Sequence, residues 1–380
     1  MAGLAFLKTY RDDLGADVFF IGCPGGVEQR LVPAEGVRLL LVPGEPFARQ
    51  GLPRRAAAIV GMLRGALAAR KLLRNESVDL VIGVGGYASV GAGLAAWSLG
   101  IPLVIHEANA HPGLANLMLA RVARRVCVGF AEASKRFKRS VPQVRVEFTG
   151  NPATVGPFTT GRRSADPACW RILVSAGSLG SPFLNREAPR MLAEMRALGC
   201  HFAVRHLAGT PHTAGLQTAG ARLDEIRKVY REAGIEARVD PFTGSIGSAY
   251  AEADFVIGGA GALTLADIAA AGLPALLVPL ASAANDHQSD NARAFCAHTG
   301  ALWVEEANWN PSSIAREITE LLGHPQRLED IGRRALAFAR PDAAAALVAV
   351  CEEVLGAGPA GQDVGTAAIA GNASKLGIGR

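Results

Sequence analysis

Two distant stretches of this chain follow one plan. Residues 79–106 run D-L-V-I-G, a glycine-rich turn, an Ala-rich segment and then I-P-L-V-I. Residues 253–280 run D-F-V-I-G, a glycine-rich turn, another Ala-rich segment and then L-P-A-L-L-V. Each reads as strand, tight turn, helix, strand. Continuous apolar strands separated by helices fit a parallel sheet covered on both faces, since alternation is lost when neither face meets water. The echo predicts two similar doubly wound α/β domains facing each other across a cleft.

The same alternation continues on either side. Strands are expected over 17–23, 37–43, 79–85, 102–107, 125–130 and 144–152, with a polar, turn-rich linker at 156–168 and a restart at Trp170. The reading divides the chain into a first domain over 1–157 and a second over 158–340. A final helix over 341–355 is expected to return to the first domain, and 356–380, small, polar and aperiodic, to form a disordered tail. A length of 380 residues suits two domains, and 49% hydrophobic with 19% charged residues excludes disorder or coiled coil as the main state. Leu80 to Ile105 carries no charge and is long enough to cross a bilayer. Its glycines and Pro102 nevertheless break it into strand, helix and strand.

Charge separates the halves. Residues 1–150 hold 19 Lys and Arg against 11 Asp and Glu, while the remainder holds 20 against 23. A basic first half predicts an anionic partner, and no helix-turn-helix, zinc or RNP-type pattern accompanies it to favour nucleic acid. An anionic membrane surface fits better. In 54–74, Ile59, Val60, Met62, Leu63, Leu67, Leu72 and Leu73 stand among Arg64, Arg70, Lys71 and Arg74. That pattern suits shallow insertion at an anionic leaflet, and equally a helix packed on its own sheet. Six scattered cysteines without a C-x-x-C pair, and charges from Lys8 onward in place of a signal peptide, predict a reducing, cytoplasmic setting.

Candidate site residues cluster where strands end, the edge at which open α/β sheets bind ligands. Glycine turns at Gly83/Gly85/Gly86, Gly177/Ser178/Gly180 and Gly258/Gly259/Gly261 can present helix N-terminal amides to a phosphate, or serve tight packing alone. None completes a P-loop or a dinucleotide fingerprint. The segment after 105 supplies His106, Glu107, Asn109, His111 and Asn116, in which a His–Glu pair could move a proton or hold its own loop. Asp267 lies early in a helix behind a glycine turn, placed to accept ribose hydroxyls or to complement the helix dipole. Asp286, His287, Gln288 and Asn291 follow another strand without metal-ligand spacing, so no metal and no cofactor are expected.

Taken together, GVGGYASVGAGLAAWSLGIPLVIHEANAHPGLANLMLA, TGNP, SAGSLGSPFLN, GALTLADIAAAGLPALLVPL and NDHQSDNA resemble, in order, the MurG family. These are UDP-N-acetylglucosamine:undecaprenyl-pyrophosphoryl-muramoyl-pentapeptide N-acetylglucosaminyltransferases of peptidoglycan synthesis. The resemblance implies a GT-B fold and an inverting, metal-independent transfer of GlcNAc to the C4 hydroxyl of a lipid-linked acceptor. It implies a peripheral position on the cytoplasmic side of the inner membrane. It places Asn109 at the donor sugar, Ser178 at the donor phosphates, and Gly261, Ala262, Leu263, Thr264 and Leu265 around the nucleotide. Asp267 falls at the ribose, Gln288 at the GlcNAc hydroxyls, and Gly85, Gly86 and Tyr87 on the acceptor side.

The chain also departs from the pattern. It begins at MAGLAFL, just after the position of the family's first strand and its GGTGGH loop, whose histidine is the family's candidate general base. Such a chain is expected to expose two inner sheet edges, and an upstream start is the simplest account. Within the chain itself, His106 and Glu107 are the nearest candidates for the base. Thr154 stands where the family often has Arg, Gly259 replaces a polar residue, and Asp267 replaces Glu. These departures keep a second reading open: a scaffold that binds nucleotide sugar or lipid without turnover.

Overall fold

The computed structural model describes residues 6, 10–11, 15–26, 28–43, 52–155, 169–177, 180–209, 216–241, 243, 246–281, 286–356 and 366–370. The chain divides into two compact units, Met1–Pro152 with Asp342–Arg380, and Ala153–Pro341. The division places 153–157 with the second unit, a few residues earlier than the sequence suggests.

In chain order the first unit contains β1 (Val18–Gly22), α1 (Glu28–Ala34), β2 (Arg38–Leu41), α2 (Leu52–Asn75), β3 (Val78–Gly83), α3 (Tyr87–Leu99), β4 (Leu103–Glu107), α4 (Leu114–Leu119), β5 (Arg125–Val128), α5 (Ala131–Ser140) and β6 (Val146–Phe148). The second contains β7 (Trp170–Ser175), α6 (Pro182–Ala197), β8 (Phe202–Leu207), α7 (Leu216–Glu232), β9 (Glu236–Asp240), α8 (Ile246–Glu252), β10 (Phe255–Gly258), α9 (Ala262–Ala271), β11 (Ala275–Leu277), α10 (His287–Thr299), β12 (Leu302–Trp303), α11 (Pro311–Leu322) and α12 (Pro325–Phe338). The chain then returns to the first unit with α13 (Ala343–Gly356) and β13 (Thr366–Ala370).

All the described strand pairs are parallel. The second sheet is ordered β12-β11-β10-β7-β8-β9, and the first β2-β1-β13-β3-β4-β5-β6. β1, β4 and β10 are buried at every position, as strands between two helical layers must be. The uncharged stretch 80–105 resolves into β3, α3 and β4, and among the described residues no helix is long and apolar enough to cross a membrane. Leu347, Val350, Cys351 and Val354 of α13 pack with Phe20, Leu80, Ile82, Val104 and Cys127, which fixes this last helix on the first sheet.

The fate of the tail is a correction. Thr366–Ala370 is not disordered: it lies between β1 and β3, in the place where two open inner edges were expected. Residues 371–380 lie outside the described residues.

Inside the second unit, a polar triad crosses the core. His206 on β8 is fully buried, with Nδ1 at 2.9 Å from the Tyr230 hydroxyl of α7 and Nε2 at 3.0 Å from Asn185 Oδ1 of α6. Asn185 Nδ2 donates to the Ala208 carbonyl at 2.9 Å, which orients the amide so that its Oδ1 accepts from His206 Nε2–H. Nδ1 of the neutral ring then accepts the tyrosine proton, and every bond in the chain is satisfied. Burial lowers the His206 pKa from 6.5 to about 3, and burial likewise lowers that of His106 in the first unit to about 4.

Because both folded pKa values are depressed, the unfolded chain takes up protons first. Stability is full above about pH 7 and falls as pH drops below 6.5, by about 1.4 kcal/mol per pH unit for each ring. Asp267, raised by burial to about 6, takes up its proton in the folded state first and offsets one ring below pH 6. His206→Phe is expected to lower stability at pH 7.5 yet flatten its decline towards pH 5, read from melting curves across pH. A decline unchanged by the substitution would contradict the neutral buried ring.

Candidate active site

Each sheet gathers its turns at one edge, and the turns of the first unit are built around one carboxylate. β4 ends in His106 and Glu107, both buried. Glu107 Oε1 accepts from the Asn109 amide and from Asn109 Nδ2, both at 3.0 Å. Its Oε2 accepts from the Gly113 amide and from Asn116 Nδ2, both at 2.9 Å. The loop 108–116 is therefore wrapped around Glu107. Four donors leave this carboxylate acceptor-committed, and it organises the loop instead of taking a substrate proton, contrary to the expectation from sequence.

His106 is corrected in the same way. It has no exposed surface, its Nε2 lies 3.1 Å from the Gly150 carbonyl, and Phe6 packs edge-on against the ring at 4.8 Å. A buried neutral ring with a carbonyl partner does not reach a substrate hydroxyl. Its bond to Gly150 ties β4 to the T-G-N-P segment, and Asn151 Nδ2 adds a bond to the Ala108 carbonyl at 2.8 Å. Gly129 must lack a side chain here, because a Cβ would fall on the Asn151 amide.

Beside this loop, β3 ends at Gly83 and turns through Gly85 (φ 95°) and Gly86 (φ 84°), both in the region that favours glycine. Gly86 caps α3 with no side-chain bond, and Ser89 Oγ donates back to the Gly85 carbonyl at 2.7 Å. A Cβ on Gly85 would sit 3.6 Å from Asn116 Nδ2, so these glycines and the Glu107 loop are neighbours. Asn109 is partly exposed beside them. The side chain of Tyr87 lies outside the described residues.

In the second unit, β10 ends in a Gly258–Gly261 turn that leads directly into α9, where Gly261 is the N-cap and no side chain closes the helix. The first amides of α9 are thus left for another acceptor. Gly177 (φ 82°) approaches from β7, and Cβ atoms on Gly177 and Gly261 would lie 3.8 and 3.5 Å from Thr264 Oγ1. Gly177, Gly261 and Thr264 therefore converge. Ser178 lies outside the described residues.

Gln288, at the start of α10, uses its Oε1 to accept from the Ala260 amide at 3.3 Å and the Leu280 amide at 3.0 Å. Asn291 Nδ2 holds the Ala260 carbonyl at 3.2 Å. Gln288 thereby bridges the ends of β10 and β11 and stands against the glycine turn. Asp267, 7% exposed, accepts from the Thr154 amide at 2.6 Å and from Thr154 Oγ1 at 3.0 and 2.9 Å. Burial raises its pKa to about 6 against the lowering effect of these bonds. Sequence reasoning treated Thr154 and Asp267 as separate departures; the structure shows them bonded to each other.

The glycosyltransferase family 28 N-terminal domain matches residues 3–128, and the family 28 C-terminal domain matches 171–347. A UDP-N-acetylglucosamine--N-acetylmuramyl-(pentapeptide) pyrophosphoryl-undecaprenol N-acetylglucosamine transferase of Stutzerimonas stutzeri is 39% identical over 342 residues, 90% of this chain and 91% of that protein. The protein of the same name from Methylococcus capsulatus is 38% identical over 344 residues, covering 90% and 92%. The crystal structure of Acinetobacter baumannii MurG superposes with a TM-score of 0.73 at 28% identity, covering 93% of this chain and 95% of that one. The chain belongs to the MurG family. Its two α/β units with parallel sheets have the architecture of GT-B glycosyltransferases, the family's N-terminal domain matching within the first unit and most of its C-terminal domain within the second.

Proposed function

We propose that this chain transfers GlcNAc from UDP-GlcNAc to the C4 hydroxyl of undecaprenyl-pyrophosphoryl-MurNAc-pentapeptide, with inversion at the sugar. Membership of the family carries the reading, and the uncapped start of α9 among three glycines gives it a physical basis. Amides at a helix N-terminus stabilise the negative charge that develops on a departing UDP. In this reading Gly261, Ala262, Leu263, Thr264 and Leu265 hold the nucleotide, Ser178 reaches the phosphates and Gln288 reads the GlcNAc hydroxyls. Asp267 meets the ribose. It also accepts from the Val155 amide, and a ribose hydroxyl would share the lone pairs that Thr154 and Val155 leave. Asn109 is presented to the donor sugar by Glu107, and Gly85, Gly86 and Tyr87 border the acceptor.

The dual role of Gln288 gives a sharp test. Gln288→Glu keeps an oxygen for the Ala260 and Leu280 amides but removes the N–H donors, whereas Gln288→Ala removes both. In calorimetric titrations, Gln288→Glu is expected to weaken UDP-GlcNAc about 10-fold or more while leaving UDP nearly unchanged, the size of one lost hydrogen bond to a buried partner. Gln288→Ala is expected to weaken both. Equal losses for both ligands in Gln288→Glu would remove Gln288 from sugar recognition.

We infer also that the first unit rests on an anionic membrane surface from the cytoplasmic side. On α2, Leu63 and Leu67 are 54% and 69% exposed, and on the adjoining α3 Trp97 is 61% exposed. Arg64, Lys71 and Arg74 are exposed around them, and Arg70 clamps the two helices by donating to the Ser98 carbonyl at 2.8 Å. Apolar tips ringed by cations suit shallow insertion between anionic headgroups. Leu67→Asp with Trp97→Asp is expected to abolish sedimentation with phosphatidylglycerol vesicles while UDP-GlcNAc binding persists. Undiminished sedimentation would move the contact elsewhere.

A further inference from the structure

We infer, on the reading of the donor half proposed above, that Thr154 is a positioning residue which holds the Asp267 carboxylate with one acceptor site left for a single ribose hydroxyl of the nucleotide sugar. Asp267 lies on α9 one turn beyond Leu263 and Thr264, so the three share a helix face. Thr264 stands against Gly177 and Gly261, and it and Leu263 are partly exposed, whereas Asp267 is buried. The carboxylate is thus set back from an open face, and Thr154, itself exposed, lies against it. The Thr154 amide donates to Oδ1 at 2.6 Å, and the hydroxyl stands 3.0 and 2.9 Å from Oδ1 and Oδ2. A hydroxyl that straddles both oxygens, with an amide on one of them, fixes the plane of the carboxylate. The Val155 amide is a third donor. Three donors against about four acceptor sites leave one.

The same bonds govern the charge of this group. Burial pushes the Asp267 carboxyl up to about 6, and the amide and hydroxyl of Thr154, with the Val155 amide, hold it down. The helices packed on α9 are α8, α10 and α12. From α8 comes the buried phenol of Tyr250, whose ionisation is opposed by burial and by the Asp267 charge. On α10 and α12 the charges pair among themselves, Arg293 with Asp290, and Arg333 and Arg334 with Asp330. Among the described residues, no cation contributes to the shift of Asp267. Without the Thr154 hydroxyl the carboxyl would titrate on the order of one pH unit higher, the effect of one hydrogen bond to a charged group. A carboxyl that has taken up a proton loses an acceptor, so near neutral pH the grip on the ribose depends on Thr154.

The test is calorimetric titration of the full chain between pH 8 and pH 5.5 with UDP-GlcNAc, whose pyrophosphate diester does not titrate in this range. Affinity scales with the ionised fraction of Asp267, so carboxyls titrating near 6 and near 7 give losses of about 4-fold for the wild type and about 30-fold for Thr154→Val. Thr154→Ser, which keeps the hydroxyl, is expected to restore the wild-type profile. With the 2′,3′-dideoxyribose counterpart of UDP-GlcNAc, the difference between wild type and Thr154→Val is expected to vanish. Thr154 is exposed, so its replacement spares the core, and Thr154→Ala carries the same expectation where valine is not accommodated. Parallel pH profiles for wild type and Thr154→Val, or tighter binding by the variant, would overturn the inference and leave the donor site in place. A wild type that binds no UDP-GlcNAc at any pH would overturn the donor-site reading itself, and the role of Thr154 with it.

Discussion

Parallel pairing is the constraint on which the rest of this molecule depends. When every strand of a sheet runs the same way, every carboxyl end and every following helix N-terminus lies on one edge. Gly85 and Gly86, the Glu107 loop and the T-G-N-P segment collect at that edge of the first sheet. Gly177, the Gly258–Gly261 turn and Gln288 collect at that edge of the second. Neither cluster is a sequence-local motif: each is assembled by ladders between strands far apart in the chain. In the first unit the ladders at the centre run through β13, so its turn cluster rests on a strand contributed by the end of the chain.

Much of this was legible in the sequence because strong local signals and the packing agree. The echoed strand–turn–helix–strand units at 79–106 and 253–280 became β3–α3–β4 and β10–α9–β11, since apolar runs bounded by glycine have few alternatives in a covered sheet. β13 was not legible. A single isoleucine among small residues, between polar, glycine-rich stretches, carries no strand signal, and only pairing with β1 and β3 makes the segment a strand. His106 and Glu107 were misjudged for a related reason. Position at a strand end suggests chemistry, but burial and the four donors around Glu107 are set by the loop that folds back from 109 to 116. No spacing rule reveals that return. The Thr154–Asp267 bond was equally hidden, since four strands, β7 to β10, lie in the chain between the two residues.

That bond bears on how the donor half works. Thr154 and Asp267, the two departures from the family pattern, hold each other at 2.6 to 3.0 Å. The pair keeps a buried acceptor oriented beside α9 without introducing a cation. Elsewhere in the same unit the His206 triad satisfies buried polar groups without charge, so the second unit carries its interior polarity mostly as neutral or hydrogen-bonded groups. The backbone around the start of α9 is held by the glycine turns and by the bonds of Gln288 to the Ala260 and Leu280 amides.

Turnover by this chain is measured by supplying it with UDP-GlcNAc carrying a labelled sugar and with a lipid-linked muramoyl-pentapeptide in detergent. The expected product is a labelled lipid-linked disaccharide with a β linkage, with stoichiometric release of UDP. Binding of UDP-GlcNAc with no transfer of label to the lipid would contradict it and leave a nucleotide-sugar-binding scaffold in its place.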